Sequence, residues 1–321
     1  MSDKLYIVVP CYNEQEVLME TAVRLKSKLA VLLEKGLISD KSRILFVNDG
    51  SQDDTWKLIR KLCEEDERFA GVNLSRNQGH QNALLAGLMT AKEYADIVIS
   101  MDADLQDDID AVDEMIEKYR EGCDVVYGVR NKRTTDSAFK RITAEMFYKM
   151  IKFMGANIIE NHADYRLMSK RALEGLSSFH EVNLFLRGMI PMIGYESAMV
   201  YYERAERFAG ESKYPLKKML SFALEGITSL TVEPIRFITK LGLTISFISV
   251  LMILWILYRY IFFDTVPGWS SLIISVWFIG GLVLLAVGTI GEYIGKIYLE
   301  TKHRPPYIVS EFIHDKKKSS D

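Results

Sequence analysis

The stretch Ile97-Val98-Ile99-Ser100-Met101-Asp102-Ala103-Asp104-Leu105-Gln106-Asp107-Asp108 decides how this chain is read. The apolar run is the pattern of a buried strand, and the acidic run is the loop at its carboxyl end, where open α/β sheets take their ligands. An extended chain would send Asp102, Asp104 and Gln106 to one side. Two carboxylates and an amide oxygen converging there make a hard-oxygen site suited to Mg²⁺ or Mn²⁺ carried in with a phosphorylated substrate. By itself an Asp-x-Asp is more often a solvated acidic loop, so the surrounding chain has to decide.

Upstream, the chain alternates between short apolar runs and segments with helical spacing. Residues 5–9, 44–47, 72–74, 97–101 and 125–129 read as strands. Residues 14–33, 54–65, 81–91 and 109–120 read as helices, with apolar positions three and four apart. This alternation with short connections predicts an α/β fold with a mostly parallel sheet and helices on both faces. Polar residues follow each strand: Tyr12, Asn13 and Glu14; Asp49; Arg76; Asp102 and Asp104; Arg130. A carboxylate or arginine at every strand end is more than a structural domain needs.

After residue 130 the alternation stops. A basic cluster (Arg130, Lys132, Arg133, Lys140, Arg141) precedes an amphipathic segment, 142–154. His162-Ala163-Asp164-Tyr165-Arg166 reads as a polar loop, 182–194 as an apolar stretch around Arg187, and 201–214 as a polar-aromatic run. Residues 215–231 have the spacing of a helix lying on a membrane surface. Residues 241–263 contain Arg259 as their one charge, and 271–290 contain none. Each reaches the ~20 residues that cross a bilayer core. The loop between them lacks Lys and Arg, whereas Arg236, Lys240, Lys296, Lys302 and Arg304 flank the pair, so the positive-inside rule puts the large domain and the tail in the cytoplasm. Gly280, Gly281, Gly288, Gly291 and Gly295 permit close helix packing within or between subunits, and hence a homo-oligomer.

Composition narrows the class further. A formal charge of −3 over 321 residues disfavours a nucleic-acid partner. Cys11, Cys63 and Cys123 are odd in number and widely spaced, which suits a reducing compartment and suggests neither disulfides nor a zinc site. No Gly-x-Gly-x-x-Gly follows the first strand, which disfavours a dinucleotide enzyme.

The assembled motifs resemble family-2 glycosyltransferases of GT-A fold, in particular the polyisoprenyl-phosphate glycosyltransferases that include bactoprenol glucosyltransferases and dolichol-phosphate mannose synthases. The matching stretches are Val9-Pro10-Cys11-Tyr12-Asn13-Glu14, Val47-Asn48-Asp49-Gly50-Ser51, Arg76-Asn77-Gln78-Gly79 and Met101-Asp102-Ala103-Asp104-Leu105-Gln106-Asp107. They continue with Tyr127-Gly128-Val129-Arg130, Asp164-Tyr165-Arg166-Leu167, Phe185-Leu186-Arg187-Gly188, Gly210-Glu211-Ser212-Lys213-Tyr214 and Gly291-Glu292-Tyr293-Ile294-Gly295-Lys296. They run collinearly over nearly the whole chain.

The resemblance implies a cytoplasmic GT-A catalytic domain (1–214), an interfacial helical segment (215–236), two transmembrane helices within 237–294 (about 241–263 and 271–290) and a cytoplasmic tail (295–321). It implies an inverting transferase of the inner membrane that moves a hexose from a nucleotide sugar to undecaprenyl phosphate. The two-helix carboxyl end favours a UDP-hexose, with UDP-glucose foremost. Carried over by position, Pro10, Tyr12, Glu14 and Asp49 would hold the nucleobase and ribose. Asp102, Asp104 and Gln106 would hold Mg²⁺ or Mn²⁺ and the diphosphate. Arg130, Arg133 and Arg141 either grip the acceptor phosphate or are surface charges attracted to anionic lipid, the latter reading weighing more for Arg133 and Arg141 than for Arg130.

Asp164 matches the position assigned as catalytic base; it would orient the acceptor or shape the sugar pocket, against the plainer reading of a cap or an ion pair with Arg166. Arg187 would be a partner for such a carboxylate. Arg204, Arg207 and Lys213 resemble a mobile loop near the diphosphate, and His80 and His162 read as local hydrogen-bonders. Two rivals stand beside this reading. One is a processive polysaccharide synthase, disfavoured because no tryptophan here follows an arginine. The other is an inactive membrane-anchored nucleotide-sugar-binding protein.

Overall fold

The computed structural model describes residues 2–131, 162–181, 184–203 and 268–314, with isolated positions between 235 and 262. Arg133, Arg141, His162's side chain, Arg204, Arg207, Lys213, the amphipathic segments at 142–154 and 215–231, and most of the expected first membrane span lie outside the described residues.

Five strands and four helices alternate from the amino terminus: β1 (Leu5–Cys11), α1 (Leu18–Glu34), β2 (Arg43–Asn48), α2 (Thr55–Glu65), β3 (Phe69–Leu74), α3 (His80–Lys92), β4 (Ile97–Ser100), α4 (Ala111–Arg120) and β5 (Val125–Arg130). Every strand expected from the apolar runs is present. Burial on both faces of the sheet explains why these runs are continuous rather than alternating. Along β1, Leu5, Ile7 and Val9 join one core with α1, α2 and α4, while Tyr6 and Val8 join the other with α3. α1 packs with Leu18, Ala22, Leu25, Leu29 and Leu32 at helical spacing, all fully buried.

The sheet is mixed: of the described strands six run parallel, as expected, and two run against them. Its order is β7-β5-β6-β4-β1-β2-β3-β8, where β6 is His162–Ser169, β7 is Ser197–Tyr202 and β8 is Val309–Ile313. β6 inserts between β4 and β5, antiparallel to both. The polar loop expected at 162–166 is therefore an inner strand. Tyr165 and Leu167 enter one core and Met168 the other. Asp164 and Arg166 looked like loop residues, but they form a buried pair with each other. The Ser100 hydroxyl ties β4 to β6 by donating to the Asp164 carbonyl at 2.5 Å. The start of the 201–214 run is likewise strand, in β7.

Three helices complete the described architecture. α5 (Lys170–Ser177) is capped by Ser169, whose hydroxyl accepts from the Ala172 N–H at 3.0 Å. α6 (Leu186–Met192) carries Arg187. α7 (Trp269–Thr301) extends past the expected end at 290. Among the described residues, the stretch Phe278–Thr301 of α7 is long and apolar enough to cross a membrane, and none of that window is buried in protein.

The chain then returns to the sheet. Beyond α7, Tyr307 packs against the second core and β8 pairs antiparallel with β3, so the expected tail contributes an edge strand. Tyr6 Oη lies 2.8 Å from His314 Nε2, and Arg60 meets Glu311 at 2.7 Å.

Candidate active site

Strand order reverses between β1 and β4: the chain proceeds from β1 to β2 and β3 on one side, then returns to lay β4 on the other. Their pairing ends at Val8 and Ser100, so the carboxyl ends diverge and open the crevice in which such sheets bind ligands. Pro10 lies just beyond that pairing, still aligned with Val47 of β2. Tyr12 is exposed there. Asn13 adopts a left-handed conformation (φ 54°), its N–H donates to Ser51 Oγ at 3.0 Å, and its Oδ1 accepts from Gln52 N–H at 2.9 Å. The Glu14 N–H donates to Thr55 Oγ1 at 2.9 Å. The loops after β1 and β2 therefore brace each other.

Asp49 is buried, and its carboxylate accepts from the Gln78 and Gly79 N–H groups at 2.7 and 3.0 Å. Burial pushes its pKa up, against the pull of those two bonds. Its immediate work is to fix the turn leading into α3. Gly50 allows that turn to dock: with φ 62°, any Cβ there would stand 2.4 Å from the Asn77 nitrogen.

The acidic loop is not extended. Leu105 has φ 56°, so the alternation that would align Asp102, Asp104 and Gln106 is broken. The Gln106 N–H folds back to Asp104 Oδ1 at 3.2 Å and its residue is buried, whereas Asp102 keeps 31% of its side chain open. Thr21 of α1 anchors this loop through a hydroxyl 2.9 Å from the Ala103 carbonyl.

Around Asp102 the fold gathers charges from distant parts of the sequence. His80, at the start of α3, places Nε2 at 3.7 Å from Asp102 and 3.4 Å from Asp164. Arg130, at the end of β5, reaches within 4.0 Å of Asp102 and 3.3 Å of Asp107. Tyr202 of β7 donates to Asp107 at 2.5 Å, and Arg130 Nε donates to the Tyr202 oxygen at 3.2 Å. Asp164 is held by Arg166, which is fully buried, and by Arg187, whose Nε and Nη2 donate at 3.3 and 3.1 Å. Among the described residues Asp107 Oδ2 and Arg166 Nε and Nη1 have no hydrogen-bond partner.

The electrostatics follow from that crowding. Burial raises the Asp102 pKa to about 6; His80 opposes the rise, and the charges of Asp107, Asp164 and Asp104 add to it. Asp164 is held well below the ordinary carboxylate range: burial works against this, but Arg187, His80 and Arg166 prevail. Burial lowers the His80 pKa, yet Asp164 and Asp102 raise it above its usual value.

Among the described residues no group of three or more His, Cys, Asp and Glu side chains is arranged to hold a metal. The donor set still fits one that arrives with its ligand. Asp102 and Asp104 offer hard oxygens in an excess of negative charge, and diphosphate oxygens and water can complete the six positions Mg²⁺ or Mn²⁺ requires.

Asp102, Asp104 and Arg130 stand at strand ends as expected, Arg187 pairs with a carboxylate as expected, and Asp164, expected in a polar loop, joins them from within β6. His80, expected as a local hydrogen-bonder, faces Asp102 and Asp164, while Asp107 and Tyr202 carry no expectation as partners of Arg130. Position at the amino terminus of α3 was a signal for His80; nothing local in Tyr202 marks it.

Comparison with known proteins gives the family. The model of the family "Glycosyl transferase family 2" matches residues 6–176. An uncharacterized glycosyltransferase of Bacillus subtilis, YkoT, is 52% identical, with 98% of this chain and 94% of that protein covered. The bactoprenol glucosyl transferase of Shigella phage SfV is 41% identical, covering 95% and 98%. A crystal structure of glucosyl-3-phosphoglycerate synthase from Mycobacterium tuberculosis, with Mn²⁺, UDP and phosphoglyceric acid, is 18% identical over 71% of this chain and 77% of that one, with a TM-score of 0.46. This chain belongs to glycosyl transferase family 2, its α/β domain with a mixed sheet is GT-A-like, and it is a glycosyltransferase.

Proposed function

We propose that this family-2 glycosyltransferase moves a hexose, from UDP-glucose, onto a membrane polyprenyl phosphate with inversion at the anomeric carbon. The observation that carries the reading is Arg130 Nη2 lying 4.0 Å from Asp102 Oδ2. A cation suited to an acceptor phosphate stands beside the carboxylates suited to a donor diphosphate. The bactoprenol glucosyl transferase relatives, alike over nearly the full length, support the acceptor class.

In this reading the ends of β1 and β2 take the nucleoside: Pro10, Tyr12 and Glu14 line the base and ribose, and Asp49 fixes the turn they face. Asp102 and Asp104, with Gln106 behind them, hold the metal and diphosphate. When bound, the divalent ion neutralises charge developing on the leaving diphosphate. The anomeric carbon passes through an oxocarbenium-like state. A phosphate monoester with a second pKa near 6 is already mostly dianionic at neutral pH, so the acceptor requires capture and aim more than deprotonation. Arg130 supplies that capture, with Arg133 and Arg141 as further contacts. Asp164, kept ionised by two arginines, acts by orienting them rather than by holding a proton; a general base would need a pKa near the working pH. Residues 237–294 form two membrane spans that keep the cleft at the cytoplasmic face of the inner membrane, where the lipid phosphate lies.

The test is a panel of labelled UDP-glucose, UDP-galactose, UDP-N-acetylglucosamine and GDP-mannose, each with undecaprenyl phosphate and Mg²⁺ or Mn²⁺. Label should enter the lipid from UDP-glucose, and Asp104→Ala should abolish it in a protein that remains folded and membrane-bound. Label from no donor would sink the reading; undiminished transfer by the variant would remove the metal role of this loop.

A further inference from the structure

Two arginines border the same cleft, and each is pinned by a carboxylate without exhausting its donors. Arg187 lies side-on to Asp164 through Nε and Nη2. Arg130 is fixed through Nε to Tyr202 and through Nη2 to Asp107. In both, Nη1 makes no hydrogen bond among the described residues, and 26% of Arg130 and 33% of Arg187 remain open to solvent. Arg187 and Arg130 are near enough to repel each other, and the charge of Asp102 reaches both. The local carboxylates outweigh this repulsion and hold both guanidiniums charged, and Asp164 is shared with Arg166 and His80.

We propose that Arg187 and Arg130 are the two arms of a phosphate clamp, which makes Arg187 a substrate-contacting residue and not only a structural partner of Asp164. The ligand is an anionic phosphate group presenting oxygens to both guanidinium planes, the geometry for which arginine is best suited. Asp164 and Asp107 are then positioning residues, each fixing one arm before the ligand arrives. Two sources can supply that chemistry in this cleft: the lipid phosphate or the nucleotide's diphosphate. The substrate class rests on the function proposed above; the clamp rests on the geometry.

Binding without turnover separates these points. The full chain in detergent is titrated with farnesyl phosphate and, separately, with UDP plus Mn²⁺, using wild type, Arg130→Met, Arg187→Met and Arg187→Lys. Arg187→Met should weaken one of the two ligands tenfold or more, and Arg187→Lys should recover part of that loss, because it keeps the charge without the planar fork. The ligand that responds identifies the source: farnesyl phosphate for the acceptor, UDP for the donor. Unchanged affinity for both, or wild type that binds neither, overturns the clamp. So does an equal loss of both ligands with a lowered melting midpoint in both Arg187 variants, the mark of a purely structural role. If the clamp binds as expected while no labelled lipid forms, the transfer reading fails alone; if label forms while Arg187→Met binds both ligands like wild type, the clamp fails alone.

Discussion

The Tyr202 hydroxyl donates to Asp107 Oδ1 at 2.5 Å, joining β7 at one edge of the sheet to the loop that follows β4, with β5 and β6 lying between those strands. Arg130 of β5 donates to both partners. Three segments far apart in sequence thus fix the direction of one guanidinium.

Tyr202→Phe removes the hydroxyl and leaves the ring against Tyr165, which it meets edge-on at 5.3 Å. The expected cost to stability is about 2 kcal/mol, within the range for a hydrogen bond to a carboxylate. Acceptor affinity should also fall several-fold as Arg130 loses one tether, while UDP binding holds. Paired titrations and melting curves check this; equal loss of both ligands would contradict the assignment.

Asp102 gives a pH dependence whose sign is fixed. Its folded-state pKa of about 6 lies above the unfolded value, so the proton favours the folded state. That stability is full below about pH 4 and is lost as pH rises through about 6. Asp102→Asn should therefore melt higher than wild type at pH 7.5 without divalent ion, by roughly 1–2 kcal/mol after allowance for solvent screening at this part-open side chain. The gap should close at pH 4. The same variant should be inactive, and wild-type activity should rise with pH through about 6 as the carboxylate ionises.

Asp164 behaves in the opposite sense. Its depressed pKa means that its stability contribution is present above the unfolded value and is lost only as acid takes the pH below that range. The pH–rate profile should accordingly carry no limb from Asp164 between pH 5 and 8. Asp164→Asn strands the fully buried Arg166 guanidinium without its counter-charge, which should cost about 3–5 kcal/mol. Denaturant melts report the loss; a variant as stable as wild type would show that Arg166 is neutralised elsewhere.

β8 closes an otherwise open sheet edge. Ending the chain after Arg304 removes the pairing with β3, the Tyr307 contact with the core, and the Ser75 N–H bond to Ile308. The bare β3 edge should aggregate and the midpoint should fall. By comparison Glu311→Ala, which breaks one exposed ion pair with Arg60, should cost under about 1 kcal/mol. A truncated chain that melts like the full one would show that α7 alone holds the carboxyl end.

The amino-terminal half was legible because its physics is local. Strands buried on both faces are continuous apolar runs, and helices such as α1 and α2 show their period directly. The segment from 162 to 169 was not legible, because Asp164 and Arg166 carry loop-like polarity. They fit an inner strand because Arg187 and His80 arrive from other elements, and no local pattern encodes that. Gln106 was misplaced for a smaller reason: one left-handed residue, Leu105, reverses an alternation that sequence spacing takes for granted.

By itself, then, the sequence determined the α/β alternation, the placement of ligand-like residues at strand ends, the apolar carboxyl-terminal segments and the family. Those features depend on residues near one another in the chain or on motif identity. Only the tertiary structure decided that β6 runs antiparallel through the sheet, that β8 returns to its edge, and that Asp102 stands among His80, Arg130 and the carboxylates of Asp104, Asp107 and Asp164. Charge interactions depend on distance through space and on burial, and both are set once the strands have taken their order.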